Sequence, residues 1–228
     1  INKKVNIIIN VQETPLRNFN LGIRWDNYYN FIAAANLQIN SNILPGLRIE
    51  NQTQFAGIRK NEFSIYYPSR RLNFPAYPFI RILNSNINYK YYNIGNYKGR
   101  YKLITDEIAT GIGLLLKNYW NTEVTYFKKM ESFLPEDTQY KKESLAGIRL
   151  TAKLDLLDNI LFPKNGIYVN TQYENGSKEW GSSLNYHIYK GLADIYITQN
   201  KNTYRLSGYY HQALNDFPKH IITSSKGS

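Results

Sequence analysis

The chain has 228 residues, a formal net charge of +11 at pH 7 and no cysteine, and 15% of its residues are aromatic. The lack of cysteine excludes a disulfide framework and a zinc–thiolate site. The longest apolar run covers only residues 112–116. A membrane-spanning helix needs about eighteen or more apolar residues, so a helical membrane protein is also excluded.

Alternating apolar and polar side chains predict β-strands through most of the chain, and no helix-period stripe of comparable length competes with them. Asn, Gly, Lys and Pro clusters typical of turns separate the alternating segments. In chain order, the predicted strands cover residues 19–26, 31–39, 47–55, 62–69, 78–92, 100–117, 120–133, 148–155, 167–174, 182–197 and 203–214. The count is therefore about eleven strands.

Two of these strands, residues 148–155 and 167–174, flank a patterned turn, and each has one apolar face and one polar face. Roughly twenty residues per strand and connection agree with strands of about ten residues that cross a bilayer at a tilt. The 21 tyrosines suit the aromatic girdles of such a barrel, although tyrosine is also a good strand former. The sequence predicts an all-β fold, an antiparallel transmembrane β-barrel.

Electrostatics predicts which face of each strand meets lipid. An Arg or Lys on the lipid face at the bilayer midplane costs about 2–4 kcal/mol, so the polar set should face a wet or plugged lumen. The predicted lumen-facing residues are Arg24, Asp26, Arg48, Glu50, Arg149, Lys153 and Asp155. Alternation shows that the two faces differ but not which of them points into the barrel. A soluble barrel with an apolar interior therefore stays open as an alternative.

The positive charge requires an anionic partner, and nucleic acid, acidic lipid and lipopolysaccharide phosphate are the candidates. The basic residues are scattered rather than massed with aromatic residues on one platform, and Lys141 and Lys142 stand next to Glu136, Asp137 and Glu143. We therefore expect a largely solvated charged surface, with outer-membrane lipid and lipopolysaccharide as partners and no nucleic acid.

The turn itself resembles a known family. Asp158 and Asn159, followed by Phe162, Pro163 and Gly166, resemble the strand-turn signature of the BamA and TpsB superfamily of outer-membrane assembly and secretion barrels. Three other segments agree with this resemblance. Residues 4–15 resemble the last strand of a POTRA domain, residues 18–29 the first barrel strand, and residues 43–47 the turn after the second strand.

The first three strands most resemble the barrels of patatin-like type V autotransporters. The resemblance implies a barrel of about sixteen strands in the outer membrane of a Gram-negative bacterium, which carries a passenger or client polypeptide. A BamA-like assembly factor or a two-partner secretion pore is the alternative within the family. A soluble all-β binding protein is the alternative from another class, and the oligomeric state stays open.

The predicted domains are the end of a POTRA-like domain with its linker, residues 1–15, and the barrel, residues 16–228. Bacterial single-chain barrels have an even number of strands, and an open sheet leaves backbone groups that lipid cannot satisfy. We therefore expect further strands beyond these eleven. Residues 220–228 resemble the approach to the family's lid loop, but the Arg-Gly-aromatic tip of that loop is not in the sequence.

No pattern in the chain predicts catalysis, a metal or a cofactor. His187, His211 and His220 have no metal-ligand or triad spacing, and no Gly-x-Ser-x-Gly elbow exists, so any lipase activity would lie upstream of this segment. Asp155 and Asp158 could be paired carboxylates, but a capped turn explains them better. Two glycines at residues 111 and 113 predict a bend or close packing within a strand.

Overall fold

Eleven antiparallel strands in sequence order form a single sheet, in which each strand pairs with the next. The computed structural model describes residues 16–26, 30–41, 43–44, 46–67, 75–93, 96–116, 119–135, 141–158, 163–200 and 202–215. The all-β class and the count of eleven strands are confirmed. Among the described strands the first and the last have no pairing with each other, so the sheet is not closed.

Most strands are long and are joined by short hairpins. The strands are β1 (Arg17–Asp26), β2 (Asn30–Asn40), β3 (Arg48–Ala56), β4 (Ile58–Tyr66), β5 (Ala76–Asn93), β6 (Asn96–Leu116), β7 (Trp120–Pro135), β8 (Lys141–Asp155), β9 (Gly166–Gly176), β10 (Tyr186–Gln199) and β11 (Asn202–Asn215). A 3-10 helix at Lys178–Trp180 lies between β9 and β10.

No helix within the described ranges is long and apolar enough to cross a membrane.

Five predicted strand boundaries were wrong by three or more residues; two of them are the start of β6, at Asn96 rather than residue 100, and the end of β4, at Tyr66 rather than residue 69. β4 begins at Ile58 rather than at residue 62, because Gly57 alone connects it to β3, and Arg59 and Lys60 interrupt the apolar alternation without interrupting the strand. β8 begins at Lys141 rather than at residue 148. The segment before β10, predicted as strand from residue 182, instead follows the 3-10 helix as a turn. Apolar alternation alone therefore missed polar strand ends.

On one face of the sheet, side chains from strands that are not neighbours contact each other. On this face, Arg149 of β8 reaches Glu107 of β6, and Tyr77 of β5 reaches Glu123 of β7. Neighbouring strands lie about 4.8 Å apart, so contacts between strands two apart require side chains that converge over the strand between them. We call this inner side the polar face.

The opposite side, the apolar face, carries large hydrophobic side chains that no other part of the described chain covers. On β1 the exposed fractions are 61% for Phe19, 71% for Leu21, 74% for Ile23 and 72% for Trp25. Further exposed members, on the later strands, are Ile80, Ile82, Ile108, Ile112, Val124, Leu150, Ile167, Ile197, Leu206 and Tyr210. A monomeric soluble protein rarely exposes an apolar surface of this extent.

The buried core lies on the polar face and is small. It consists of Ala109, Phe127, Leu145, Tyr186 and Ile188, drawn from β6, β7, β8 and β10. The alternating pattern does not predict this patch, because its five residues are divided among four separate strands and give no local signal. Pairing of the strands brings them together into one patch.

Glycines allow aromatic rings to lie flat against the polar face. The ring of Tyr186 occupies the space where Gly176 would carry a Cβ, and the ring of Tyr77 does the same over Gly113. A Cβ on Gly111 would lie 3.0 Å from the Phe79 ring and 2.2 Å from a backbone oxygen of β7. The predicted close packing at residues 111 and 113 is thereby confirmed.

Two predictions lie outside the described residues. They are the POTRA-like end at residues 1–15 and the approach to the lid loop at residues 220–228.

Candidate functional site on the polar face

A carboxylate on β9 is the centre of an ion network that spans five strands. Glu174 is 1% exposed and accepts hydrogen bonds from the Lys129 ammonium at 2.8 Å and the Tyr186 hydroxyl at 2.7 Å. The guanidinium of Arg149 lies 2.9 Å from the same carboxylate and donates two more bonds to Glu107, at 2.7 and 2.8 Å. We call this set the central network.

The central network rests on the buried core. The Arg149 guanidinium carbon lies 4.6 Å from the centre of the Phe127 ring, and the Lys129 ammonium lies 5.4 Å from it. Buried charges are tolerated only when they are paired and hydrogen-bonded, and an aromatic face adds a favourable cation–π contact. Long charged side chains here are held in place rather than left mobile in solvent.

A second network crosses β4 to β7. The Arg81 guanidinium bridges Glu62 at 3.3 Å and Glu123 at 3.5 Å, and Glu62 also pairs with Lys60 at 2.8 Å. The Tyr77 hydroxyl donates to Glu123 at 2.9 Å. Alternate acidic and basic groups therefore line the polar face beside the central network as well, since Arg81 lies opposite Ala109, two positions from Glu107.

Smaller pairs continue the pattern towards both edges of the sheet. On β3, Glu50 accepts from Arg48 at 3.0 Å. Between β10 and β11, Asp194 accepts from the Arg205 guanidinium at 2.9 Å and from the Ser207 hydroxyl. Hydrogen-bonded or paired charges therefore occur on the polar face from β3 to β11.

The predicted lumen-facing residues can now be placed. Arg48, Glu50 and Arg149 belong to the networks and pairs above, and Lys153 lies 3.4 Å from Asp155 on β8. All five side chains share the polar face, because they stand at alternate positions in register with one another. Arg24 and Asp26 lie in β1, opposite Ile32 and Asn30 of β2, and their side chains are outside the described part of the structure.

Sequence reasoning missed Glu107, Lys129, Glu174 and Tyr186, which complete the central network. Each lies at an alternating polar or aromatic position in its own strand, which was the available signal. Nothing in the sequence shows that Glu107 and Arg149, 42 positions apart, face each other, because that contact depends on the register of two successive hairpins.

The patterned turn forms a capped loop at the end of β8. The Asp158 carboxylate accepts a hydrogen bond from the backbone N–H of Lys164 at 2.9 Å, and the backbone N–H of Asp158 donates to the Asn165 carbonyl at 3.1 Å. Gly166 has a φ of 123°, and a Cβ there would lie 2.2 Å from the Leu156 carbonyl oxygen.

Only glycine fits that position without strain. Pro163 is half-buried in the same loop, whereas Asn159 and Phe162 lie outside the described residues.

The histidines are spread over both faces. His187 on the apolar face stacks against Tyr173, with its Nδ1 2.9 Å from the tyrosine hydroxyl oxygen. His211 lies on the polar face beside Lys190, and His220 falls outside the described residues. Across the described ranges, no three His, Asp or Glu residues are grouped so that they could hold a metal ion.

Neither a protein-family model nor a curated protein sequence matches this chain. Solved structures do match. The crystal structure of BamA from Haemophilus ducreyi lacking POTRA domains 1–3 is similar with a TM-score of 0.69 at 11% sequence identity. The similarity covers 90% of this chain and 42% of that one, so the chain spans less than half of the BamA chain. The eleven strands therefore share the fold of part of that BamA chain.

Proposed function

We propose that this segment is part of an outer-membrane β-barrel that anchors its protein in a Gram-negative outer membrane and carries or inserts polypeptide there. One observation carries the proposal, namely the opposition of an exposed apolar face to a face of linked charges. A bilayer is the solvent that such an apolar face requires, and the similarity to the BamA barrel supports the same location.

In this proposal the polar face lines the barrel lumen. Arg48, Glu50, Arg149, Lys153 and Asp155 would then be lumen residues, and Arg24 and Asp26 would join them through the alternation of β1. Paired charges give a wet interior without leaving an unpaired ion in a low dielectric. The soluble alternative would need these charges outside and the hydrophobic side chains of β1 inside, opposite to the exposures found.

The narrower proposal is a translocator for a patatin-like phospholipase passenger. It rests on the resemblance of the first three strands to the barrels of patatin-like type V autotransporters; the turn at residues 158–166 resembles the BamA and TpsB superfamily as a whole. A BamA-like assembly factor or a two-partner secretion pore is the second candidate, and the structural similarity to BamA favours it. The same similarity supports the prediction that this segment is not itself an enzyme.

The gene sequence on both sides of the segment separates these candidates. A Gly-x-Ser-x-Gly lipase domain upstream is expected for the translocator, whereas a series of POTRA domains without a passenger is expected for the assembly factor or pore.

The membrane location is tested with the complete protein. We expect it in the outer-membrane fraction, and we expect its migration on a gel to shift after boiling, as a folded barrel unfolds. A protein that is monodisperse without detergent and shows no such shift would exclude the proposed function.

A further inference from the structure

The sheet has a step in its edge between β4 and β5. The pairing of these strands ends at Ile58 and Ile87, next to the single-residue turn at Gly57. β5 and β6 continue past this point as a hairpin to Asn93 and Asn96. Beside the step lies a pocket of about 230 Å³. Its lining residues are Ala56, Gly57, Arg59, Asn86, Asn88 and Lys102.

Four polar side chains of this pocket are not engaged by the protein. The register places Arg59 opposite Asn86 and Asn88 opposite Lys102, all on the same side as the apolar face. Within the described part of the chain, none of the four makes a side-chain hydrogen bond or an ion pair.

Nearby carboxylates are already occupied. Glu62 of β4 points to the polar face, where it pairs with Lys60 and Arg81. Asp106 of β6 accepts a hydrogen bond from Asn84. The pocket therefore has uncompensated positive charge.

The surrounding sequence increases this charge. Residues 89–101 contribute three further basic residues and no acidic one. The next pairs along the hairpin include Lys90 opposite Arg100. A guanidinium fork, an ammonium and two amide groups are the donors that proteins use for phosphate.

The position of the pocket indicates where the phosphate comes from. The β5 residues on the apolar face change from hydrophobic to polar at one point along the strand. Ile80 and Ile82 are followed by Asn84, Asn86 and Asn88. In a membrane barrel such a change marks the boundary between the hydrocarbon and the headgroups. The pocket begins immediately beyond that boundary.

We propose that this pocket binds the phosphate group of an anionic membrane lipid. The inference rests on the proposed membrane location and deepens it, because it assigns a lipid site to the barrel wall. The acyl chains would lie along the apolar side chains of β5 and β6, and the phosphate would lie between Arg59 and Lys102.

The test compares lipid binding by the complete protein in a non-ionic detergent, measured by native mass spectrometry with lipid A or phosphatidylglycerol added to the micelles. The double variant R59Q/K102Q removes both cations. The matched control K164Q/K178Q removes two exposed lysine charges outside the pocket. We expect the first variant to bind lipid at least tenfold more weakly, and the control to bind as the unchanged protein does.

Preference for either lipid supports the proposal and identifies the source of the phosphate. Equal binding by R59Q/K102Q and the unchanged protein would overturn it, and so would displacement of the lipid by an equal concentration of inorganic phosphate. The gel shift on boiling is recorded for every sample. An unchanged protein that shows the shift but binds neither lipid would reject this site alone, whereas an unchanged protein without the shift would reject the proposed function as well.

Discussion

Glu174 has more partners than any other side chain described on the polar face. Its two carboxylate oxygens accept from an ammonium, a guanidinium and a phenol, and each of these partners is itself largely buried. Lys129 and Arg149 are cations that the folded protein shields from water, so each of them needs a carboxylate close by. Glu107 and Glu131 each compensate one of these cations, and Glu174 is the carboxylate that both of them share.

We predict that Glu174→Gln strongly destabilises the folded sheet. The substitution keeps the shape but removes the charge, which leaves two buried cations partly uncompensated, and breaking a buried pair in this way costs roughly 3–5 kcal/mol. The measurement is the urea concentration at which the shift in gel migration is lost.

The matched control is Glu179→Gln in the exposed 3-10 helix. We expect a change of less than about 0.5 kcal/mol there, as for most surface substitutions. Similar midpoints for the two variants would mean that Lys129 and Arg149 do not depend on Glu174.

At the scale of the strands, close backbone contacts fix the pairing of β8 with β9. Gly147 lies opposite Gly176, and a Cβ on Gly147 would lie 1.9 Å from the carbonyl oxygen of Asn175. The ring of Tyr186 covers Gly176 from the polar face. A shift of one residue in register would place a side chain in this space and would also exchange the two faces of the strand.

Gly147→Ala should therefore be far more harmful than Gly22→Ala. The new methyl group of Gly147→Ala meets backbone, which cannot rotate away, and overpacking of this kind costs about 1–3 kcal/mol or more. A Cβ on Gly22 of β1 would have no atom within 4 Å, so alanine is expected to be neutral or slightly stabilising there. Urea midpoints of both variants give the comparison, and equal midpoints would rule out a role for Gly147 in the β8–β9 contact.

The strands could be predicted from sequence wherever one face was apolar. Phe19, Leu21 and Ile23 alternate clearly, and β1 lies where this alternation predicts it. Strand ends such as residues 58–61 and 141–147 were missed, because both of their faces include polar or small side chains. Alternation cannot be recognised in a strand whose two faces carry similar side chains.

The candidate site could be predicted only in part. Arg149 was recognised because an isolated arginine in an alternating strand must avoid lipid. Its partners Glu107 and Glu174 were not recognised, since they belong to strands on either side whose registers no local pattern reveals. The lipid pocket was likewise beyond sequence reasoning, because it depends on the unequal lengths of the β3–β4 and β5–β6 hairpins.

For the whole molecule, the proposed location depends on which face of the sheet points inwards and which points outwards. The contacts between strands two apart identify the polar face as the inner one, and the exposed hydrophobic side chains identify the other as the outer one. A net charge of +11 is compatible with this arrangement, because most of the charges on the described inner face occur in pairs.

Two neighbouring residues of β8 offer a direct test of which face is the outer one. Leu150 is 42% exposed on the apolar face, and Thr151 is half-buried on the polar face, opposite Glu123. We predict that Leu150→Arg greatly lowers the amount of folded protein in the outer membrane, because a charge on the lipid face costs about 2–4 kcal/mol near the midplane.

Thr151→Arg should be tolerated, because the new guanidinium would lie beside the carboxylate of Glu123 in a hydrogen-bonded surface. The measured quantity is the fraction of each variant that is found in the outer membrane and shifts on boiling. Equal losses for both variants, or a larger loss for Thr151→Arg, would show that the apolar face does not meet lipid. Because the two positions share one strand and one backbone environment, a difference between them can arise only from the face on which each side chain lies.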